Sequence, residues 1–431
     1  MILCVYIYRL YITYNIITQI SEKNNREFEI LRISGIKFYI NEAEHCMKKL
    51  LHRVWAEINL DAMEQNIKKI KSYTGDKEIM AVVKANAYGH GVALVAPELY
   101  RLGVTCFSVS NIGEARELRE LLPDADILVF GGCEAEWFSY ITDLNLIQTV
   151  GDMDFAEELS AWAVRNGRTV RVHIKADTGM SRIGIETAEE VERILSLPSL
   201  SVEGIYTHFA CSDSLEPSDM AFTEEQEKTL REIAASAAEK NIPVYSQNSG
   251  GILYHPGFEG KIVRSGIITY GCMPSTAEKL PFPLTPVLTL KSQVCQVKTI
   301  PAGRSVGYGR TYITDKATQI AVIPVGYADG YSRRLSGCGA VYINGKRCPI
   351  LGRVCMDQMM VDVTGADVKT GDTAVLYSDT IPEITVDAIA DRIGTIGYEL
   401  LCAVGARVPR VAVKNGKVVA AENYIAAAVE E

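Results

Sequence analysis

Lysine, histidine, arginine and tyrosine at the ends of short apolar runs are the residues of this chain best suited to chemistry. In Val83-Lys84-Ala85-Asn86-Ala87-Tyr88-Gly89-His90-Gly91 a lysine stands where an apolar run over 79–83 meets a glycine-rich turn leading into a helix. An amine held against apolar walls loses its proton more readily, because burial disfavours charge, and becomes a nucleophile toward carbonyl carbon. Taken alone, Lys84 reads equally as a solvated lysine at a strand end. Comparable runs end at Lys175-Ala176-Asp177-Thr178-Gly179-Met180-Ser181-Arg182, at Tyr206-Thr207-His208, at Gln247-Asn248-Ser249-Gly250 and at Arg264-Ser265-Gly266-Ile267. Bland readings stand beside these too. His208 fits a packed core histidine, Asn248-Ser249 a helix cap, Gly307-Tyr308-Gly309 a hairpin turn, and Cys355 a small buried residue rather than a nucleophile.

The elements that would position these residues follow a repeating unit. Strand cores are expected over 79–83, 105–110, 126–130, 146–149, 169–176, 203–208, 243–247 and 261–264. Helical patterns lie between them, such as 113–122, 155–166 and 223–240, and Asp61 is expected to cap a helix running to Tyr73. Eight such repeats predict a (β/α)₈ TIM-type barrel over residues 53–285. An open doubly wound sheet is the competing fold, but no G-x-G-x-x-G follows an early strand. After the proline-rich stretch 281–286 the sequence becomes strand-dense, at 287–299, 319–325, 340–354, 359–363 and 373–377, with one helix at 386–393. This predicts a mainly β C-terminal domain over 286–423, which the early strand 54–60 could also join.

On this frame the polar strand ends share one mouth of the barrel. The loops after strands seven and eight are where barrels commonly bind phosphate on backbone N–H groups. A reactive lysine beside a phosphate site suggests pyridoxal 5′-phosphate. A net charge of −9 with no basic run speaks against a nucleic-acid partner. Eleven scattered cysteines with no C-x-x-C pair suggest neither a disulfide framework nor a metal site, and fit the reduced thiols of a cytoplasmic protein. In the apolar opening segment Arg9 interrupts the run and no small-residue cleavage site follows, so neither a secretory signal nor a membrane span is expected. Residues 1–46 read as an upstream extension, poorly ordered or the product of a misassigned start.

From about Arg53 to Val418 the chain closely resembles bacterial alanine racemases. The motifs A-V-V-K-A-N-A-Y-G-H-G, K-A-D-T-G-M-S-R-I-G, T-H-F-A, R-S-G-I, V-G-Y-G-R-T-Y, G-Y-A-D-G-Y, G-R-V-C-M-D-Q and G-Y-E-L-L-C occur in the family's order. The resemblance implies the barrel-plus-β-domain fold, pyridoxal phosphate, and a head-to-tail homodimer in which each chain completes the other's site. The activity implied is interconversion of L- and D-alanine, supplying D-alanine for peptidoglycan.

By the same resemblance Lys84 is the cofactor lysine and one catalytic base, and Tyr308 of the partner is the base on the opposite face. Free tyrosine titrates near ~10, so a tyrosine base would need cationic neighbours, for which His208, Arg264 and Arg182 are candidates. Arg264 faces the pyridine nitrogen. Tyr88, Ser249, Gly266, Ile267 and Tyr398 hold the phosphate, with His208 and Asn248 among the cofactor-binding residues. Arg182 and the backbone of Met356 hold the substrate carboxylate, Lys175 matches a position that is carbamylated in some relatives, and no metal is implied. Tyr327 and Tyr331 line the entrance or merely pack the β domain. Ser181 and Ser265 stand where many relatives have glycine and proline. A serine or broad-specificity racemase is the alternative, against which Tyr398 argues. A non-catalytic, single-barrel pyridoxal-binding protein is opposed by the second domain bearing Tyr308 and Met356.

Overall fold

The computed structural model describes residues 53–275 and 279–423 in full, and the backbone of 29–33 and 36–40. Eight strands lie parallel in one sheet: Glu78–Val82, Cys106–Val109, Asp126–Val129, Ile147–Val150, Val170–Lys175, Leu200–Tyr206, Val244–Tyr245 and Ile262–Ser265. The last pairs with the first, placing Val263 beside Ile79 and Arg264 beside Met80. The remaining seam is bridged where the Arg264 N–H donates to the Gln247 carbonyl at 2.9 Å. The sheet is thus the (β/α)₈ barrel that the strand spacing predicts. Side chains alternate along each strand. Met80, Leu128, Ile147, Tyr206 and Tyr245 pack in one inner cluster, while Ile79, Ala81 and Phe107 join the core shared with the helices.

Several helices begin where a short polar side chain satisfies an otherwise orphaned N–H. Asn111 accepts from Glu114 at 3.0 Å and Asp152 from Phe155 at 2.9 Å, and Thr187 forms a capping box with Glu190. The first helix, Leu60–Thr74, is capped by Asn59 rather than by Asp61, which sits in its first turn. The strand extends through Asn59, so the cap falls two residues before the aspartate. The helix expected over 223–240 starts earlier, at Pro217, where a missing N–H costs nothing. It ends at Ile233 and is followed by a short Ala235–Glu239 segment.

Beyond the barrel the chain builds a twelve-stranded sheet. Val54–Asn59 lies inside it, antiparallel to Leu288–Gln293 and parallel to Arg410–Lys414. From Leu288–Gln293 the order runs through Thr373–Tyr377, Ala340–Ile343, Lys346–Leu351, Met359–Asp362, Thr318–Ile323 and Gln296–Ile300. The runs expected over 287–299 and 340–354 are each two strands; the second turns back at Asn344-Gly345, both with positive φ. At the other edge Lys417–Glu422 pairs with Arg410–Lys414. It also meets a hairpin of Glu29–Ile33 and Ile36–Ile40 through Phe38 and Glu422. The rest of the extension expected over 1–46 lies outside the described residues. The proline-rich connection is pinned to the first helix, since Asn66 donates to the Thr285 carbonyl at 2.8 Å and accepts from its N–H at 2.9 Å.

One buried carboxylate organises the face of the β domain that carries Gly326-Tyr327-Ala328-Asp329-Gly330-Tyr331. Asp329, with no exposed surface, accepts from Arg53 at 2.6 and 2.9 Å, from Arg407 at 2.7 Å and from the Gly326 N–H at 2.9 Å. Burial alone would raise its pKa, but the two guanidiniums hold the carboxyl below its ordinary range. Removing one member of a buried charge network strands the others. Asp329→Asn is expected to destabilise the protein by about 3 kcal/mol, near the low end of such losses because both arginines still reach water. Urea unfolding of the variant checks this.

Candidate active site

Lys84 lies two residues past the end of the first barrel strand, and the chain then turns the wrong way. Ala85, Asn86, Ala87 and Tyr88 all have φ of +52 or +53°, a left-handed turn where the sequence suggests an ordinary loop. Each such non-glycine residue costs about 1–2 kcal/mol, so the surroundings must enforce the conformation. The Ala87 N–H donates to Val83 at 2.8 Å and the Gly91 N–H to Asn86 at 3.0 Å. The Asn86 side chain accepts from the Val92 N–H at 2.6 Å. Glu114 accepts from the Ala85 N–H at 2.8 Å and the Ser110 N–H at 2.7 Å, tying the turn to the next barrel loop. Gly89, with φ +78°, passes so close to the helix Gly397–Cys402 that a Cβ would lie 2.1 Å from the Leu401 carbonyl oxygen. Buried Arg410 donates to the Gly89 carbonyl at 3.0 Å from the β domain.

The turn delivers two side chains to the barrel mouth. The Lys84 amine lies 6.0 Å from the centre of the Phe130 ring. Burial, then Arg182, lowers its pKa, with Glu114 and Cys402 opposing. The Tyr88 hydroxyl is directed toward Gly266, where an added Cβ would meet it at 3.1 Å and the Ser249 hydroxyl at 3.4 Å. Ser249 accepts from the Gly266 N–H at 3.1 Å and opens a short helix capped by Asn248. Gly266 precedes the 3₁₀ turn Ile267–Tyr270, which has no side-chain cap. The Tyr398 ring lies 5.9 Å from that of Tyr88. Hydroxyls and N-terminal N–H groups around a glycine make a cradle suited to a phosphate dianion.

Arg264 lies beneath this cradle, fully enclosed. One terminal nitrogen donates to the Thr207 and Ser246 carbonyls at 2.6 and 2.8 Å, while Nη1 has no partner. Its guanidinium carbon lies 4.9 Å from the Tyr206 ring centre and 5.4 Å from that of Tyr245. Around the same mouth Arg264, Arg182, Lys175 and Lys84 all add to burial in pushing the His208 pKa well down. Burial and these cations thus favour the neutral form of His208. Asp177 accepts from the N–H groups of residues 179–182 at 2.7–3.0 Å, shaping the loop that carries Arg182. Ser181 adopts φ +55° there, which explains why glycine suits that position. Lys175 donates to the Ile183 carbonyl, and burial lowers its pKa to about 8.

Tyr308 and Met356 lie elsewhere. Tyr308 is 72% exposed in a 3₁₀ turn between the paired Ser305–Val306 and Tyr312–Ile313, and Met356 is 52% exposed. Their loops are braced by the β domain: a Cβ on Gly309 would meet Arg353 at 3.0 Å, and the Met356 carbonyl accepts from Ala328 at 3.1 Å. Among the described residues no hydrogen bond, ring contact or charge interaction joins either one to Lys84 in the same chain. Tyr327 is exposed beside them, whereas Tyr331 is buried against Tyr377 at 5.7 Å and packs the β domain.

Comparison with known proteins places this arrangement. The family model described as the alanine racemase N-terminal domain matches residues 58–274, and that of the C-terminal domain matches 287–412. An alanine racemase of Clostridium perfringens is 42% identical over 86% of this chain and 98% of its own. One of Clostridium novyi is 39% identical over 88% of this chain and all of its own. Among solved structures, alanine racemase of Clostridium difficile superposes with a TM-score of 0.81 at 34% identity, covering 86% of this chain and 98% of that one. The Bacillus anthracis alanine racemase, described with bound L-Ala-P, also gives 0.81, at 36% identity over 87% and 98%. The chain belongs to the alanine racemase family.

The family is dependent on pyridoxal phosphate, and the residues fit that group. An unpartnered Arg264 nitrogen suits a pyridine nitrogen, the Gly266 cradle suits the phosphate, and the Lys84 amine suits the aldehyde. Sequence reasoning missed Glu114, Phe130 and Arg410. Glu114 could have been noticed, since Asn111-x-x-Glu114 has capping-box spacing. Nothing local marks Arg410, whose partner carbonyl is 321 residues away. At φ −100° and ψ −109° Gly266 lies outside the main regions open to a residue with a Cβ, so Gly266→Ala fills the cradle and adds some backbone strain. The apo variant should unfold about 1–3 kcal/mol below wild type, while cofactor affinity measured on the folded apoprotein falls roughly tenfold or more. Calorimetric titration with pyridoxal phosphate measures the second quantity.

Proposed function

We propose that this protein interconverts L- and D-alanine by moving the α-proton between two bases on opposite faces of the bound substrate, Lys84 of one chain and Tyr308 of a second copy. The observation that carries this reading is the pairing of a pKa-lowered Lys84 beside a phosphate-type cradle with an exposed Tyr308 that its own chain does not use. A single base returns a proton to the face it left; two bases facing each other can invert configuration. Pyridoxal phosphate, when bound, supplies the electron sink that makes the α-hydrogen acidic.

The chain's own groups do the rest. Lys84 takes or gives the proton at Nζ, and its lowered pKa raises the neutral fraction near neutral pH. Tyr88, Ser249, Gly266, Ile267 and Tyr398 hold the phosphate, with Asn248 fixing the Ser249 turn. Arg264 directs a donor at the pyridine nitrogen, and a guanidinium has no proton to yield there. That moderates the electron sink and restrains side reactions. Neutral His208 adds no charge, so Arg182 and Arg264 supply the positive field that favours a tyrosinate. Arg182, with the Met356 backbone of the second copy, holds the substrate carboxylate.

The functional unit is accordingly a homodimer with shared sites, and its product D-alanine serves peptidoglycan synthesis. The nine unpaired cysteines among the described residues favour a cytoplasmic setting, and no helix among those residues is long and apolar enough to cross a membrane. Serine and broad-specificity readings find no support in the relatives matched, nor does the single-barrel binding protein. A higher kcat/KM for L-serine than for L-alanine would overturn the substrate assignment.

Purified protein with pyridoxal phosphate should racemise L-alanine, and Lys84→Ala should abolish that activity together with the visible absorbance of lysine-bound cofactor. Tyr308→Phe should keep the absorbance, lose roughly 10²–10⁴-fold in turnover, and exchange α-deuterium from one enantiomer only. Equal exchange from both would contradict two bases. Lys175 offers a separate test, since only the neutral amine attacks carbon dioxide and burial brings its pKa to about 8. A ¹³C carbamate signal with labelled bicarbonate should grow as pH rises through that value and be absent in Lys175→Ala.

A further inference from the structure

His90 takes no part in the proton transfers above, yet it is completely buried against the turn that carries Lys84. Its Nδ1 lies 3.0 Å from the carbonyl oxygens of both Ala87 and Tyr88, so Nδ1 carries the hydrogen and donates to the pair. Those carbonyls belong to left-handed residues. The ring stacks on Tyr270 at 4.5 Å, and the Tyr270 hydroxyl donates at 2.9 Å to the carbonyl of Val82, the last residue of the strand before Lys84. His90 and Tyr270 thus form a bracket that grips the backbone before and after the lysine. The other ring nitrogen, Nε2, is enclosed and has no partner. Burial lowers the ring's pKa to about 4, and nearby Arg410 works in the same direction.

We infer that His90 is a positioning residue for the cofactor: as a neutral Nδ1–H tautomer it fixes the left-handed turn, and so sets where the Lys84 amine and the Tyr88 hydroxyl point. The ring's proton donor, rather than its bulk, is what the turn requires. The role rests on the assignment of Lys84 as the cofactor lysine. Asparagine and glutamine separate donor from bulk, because an asparagine amide nitrogen occupies the place of Nδ1 and a glutamine amide nitrogen that of Nε2.

The test uses full-length apoprotein of wild type, His90→Asn, His90→Gln and Lys84→Ala, titrated with pyridoxal phosphate and followed by visible absorbance and by its pH profile. Thermal unfolding of each apoprotein serves as the structural control. Both His90 variants lose the ring stack, and His90→Gln should also melt somewhat lower than His90→Asn, because its missing donor leaves the Tyr88 carbonyl unpaired in the apoprotein as well. His90→Asn should bind within about threefold of wild type with the same pH profile. His90→Gln should bind roughly ten- to a hundredfold more weakly, as expected for the buried Tyr88 carbonyl left without its donor while the backbone N–H of residue 90 still reaches the Ala87 carbonyl, and its profile should shift. Equal behaviour of the two, whether both intact or both weakened in step with their midpoints, overturns the inference. Wild-type absorbance that survives in Lys84→Ala overturns the lysine assignment itself, and the role given to His90 with it.

Discussion

A left-handed turn of four non-glycine residues cannot hold itself, because L-residues there crowd their own carbonyls at a cost of about 1–2 kcal/mol each. Ala85 to Tyr88 keep that conformation only because four parts of the molecule press on them. Glu114 reaches in from the next barrel loop, and His90 with Tyr270 brackets the turn from behind. The helix carrying Tyr398 abuts Gly89, and Arg410 reaches across from the β domain. The reward is directional. The reversed turn carries the Lys84 amine at the barrel mouth while the Tyr88 hydroxyl reaches the Gly266 cradle. Precise placement of a reacting group is worth several kcal/mol in rate, comparable in scale with the strain stored.

Electrostatics at the mouth follow from the same economy of space. Arg264, Arg182, Lys175 and Lys84 are gathered in a largely buried mouth, and burial followed by their mutual repulsion lowers the pKa values of Lys84, Lys175 and His208. Anionic ligands are attracted by such a cluster, while its basic groups give up their protons more readily. The β domain holds an exposed tyrosine loop that no contact among the described residues joins to the Lys84 site of its own barrel, and the proposed reciprocal placement of two copies would bring the two together.

The barrel was legible in the sequence because its strands are short apolar runs at regular spacing, several of them followed by a capping residue such as Asn111, Asp152 or Thr187. The β domain was legible as strand-dense sequence but not in order, since its pairings join Val54–Asn59 to strands hundreds of residues away. The polar strand ends could be gathered by the frame alone, and motifs then gave them roles. What stayed hidden has common physics. The left-handed turn is written in Ala-Asn-Ala-Tyr, which carries no glycine to announce it. Arg410 acts through a carbonyl far along the chain. The lowered pKa of His208 comes from burial and then from cations at the ends of three other strands, which no local pattern reports.

Subunit complementation tests the central claim, a site built from two chains, most directly. Lys84→Ala and Tyr308→Phe proteins, each inactive alone, are dissociated, mixed and reassociated. In a mixed dimer one site carries both substitutions and the other neither, so racemisation of L-alanine should return on mixing. A mixture as inactive as its components, with mixed dimers demonstrated by mass spectrometry, would show that Lys84 and Tyr308 do not meet across a subunit boundary and would contradict the account.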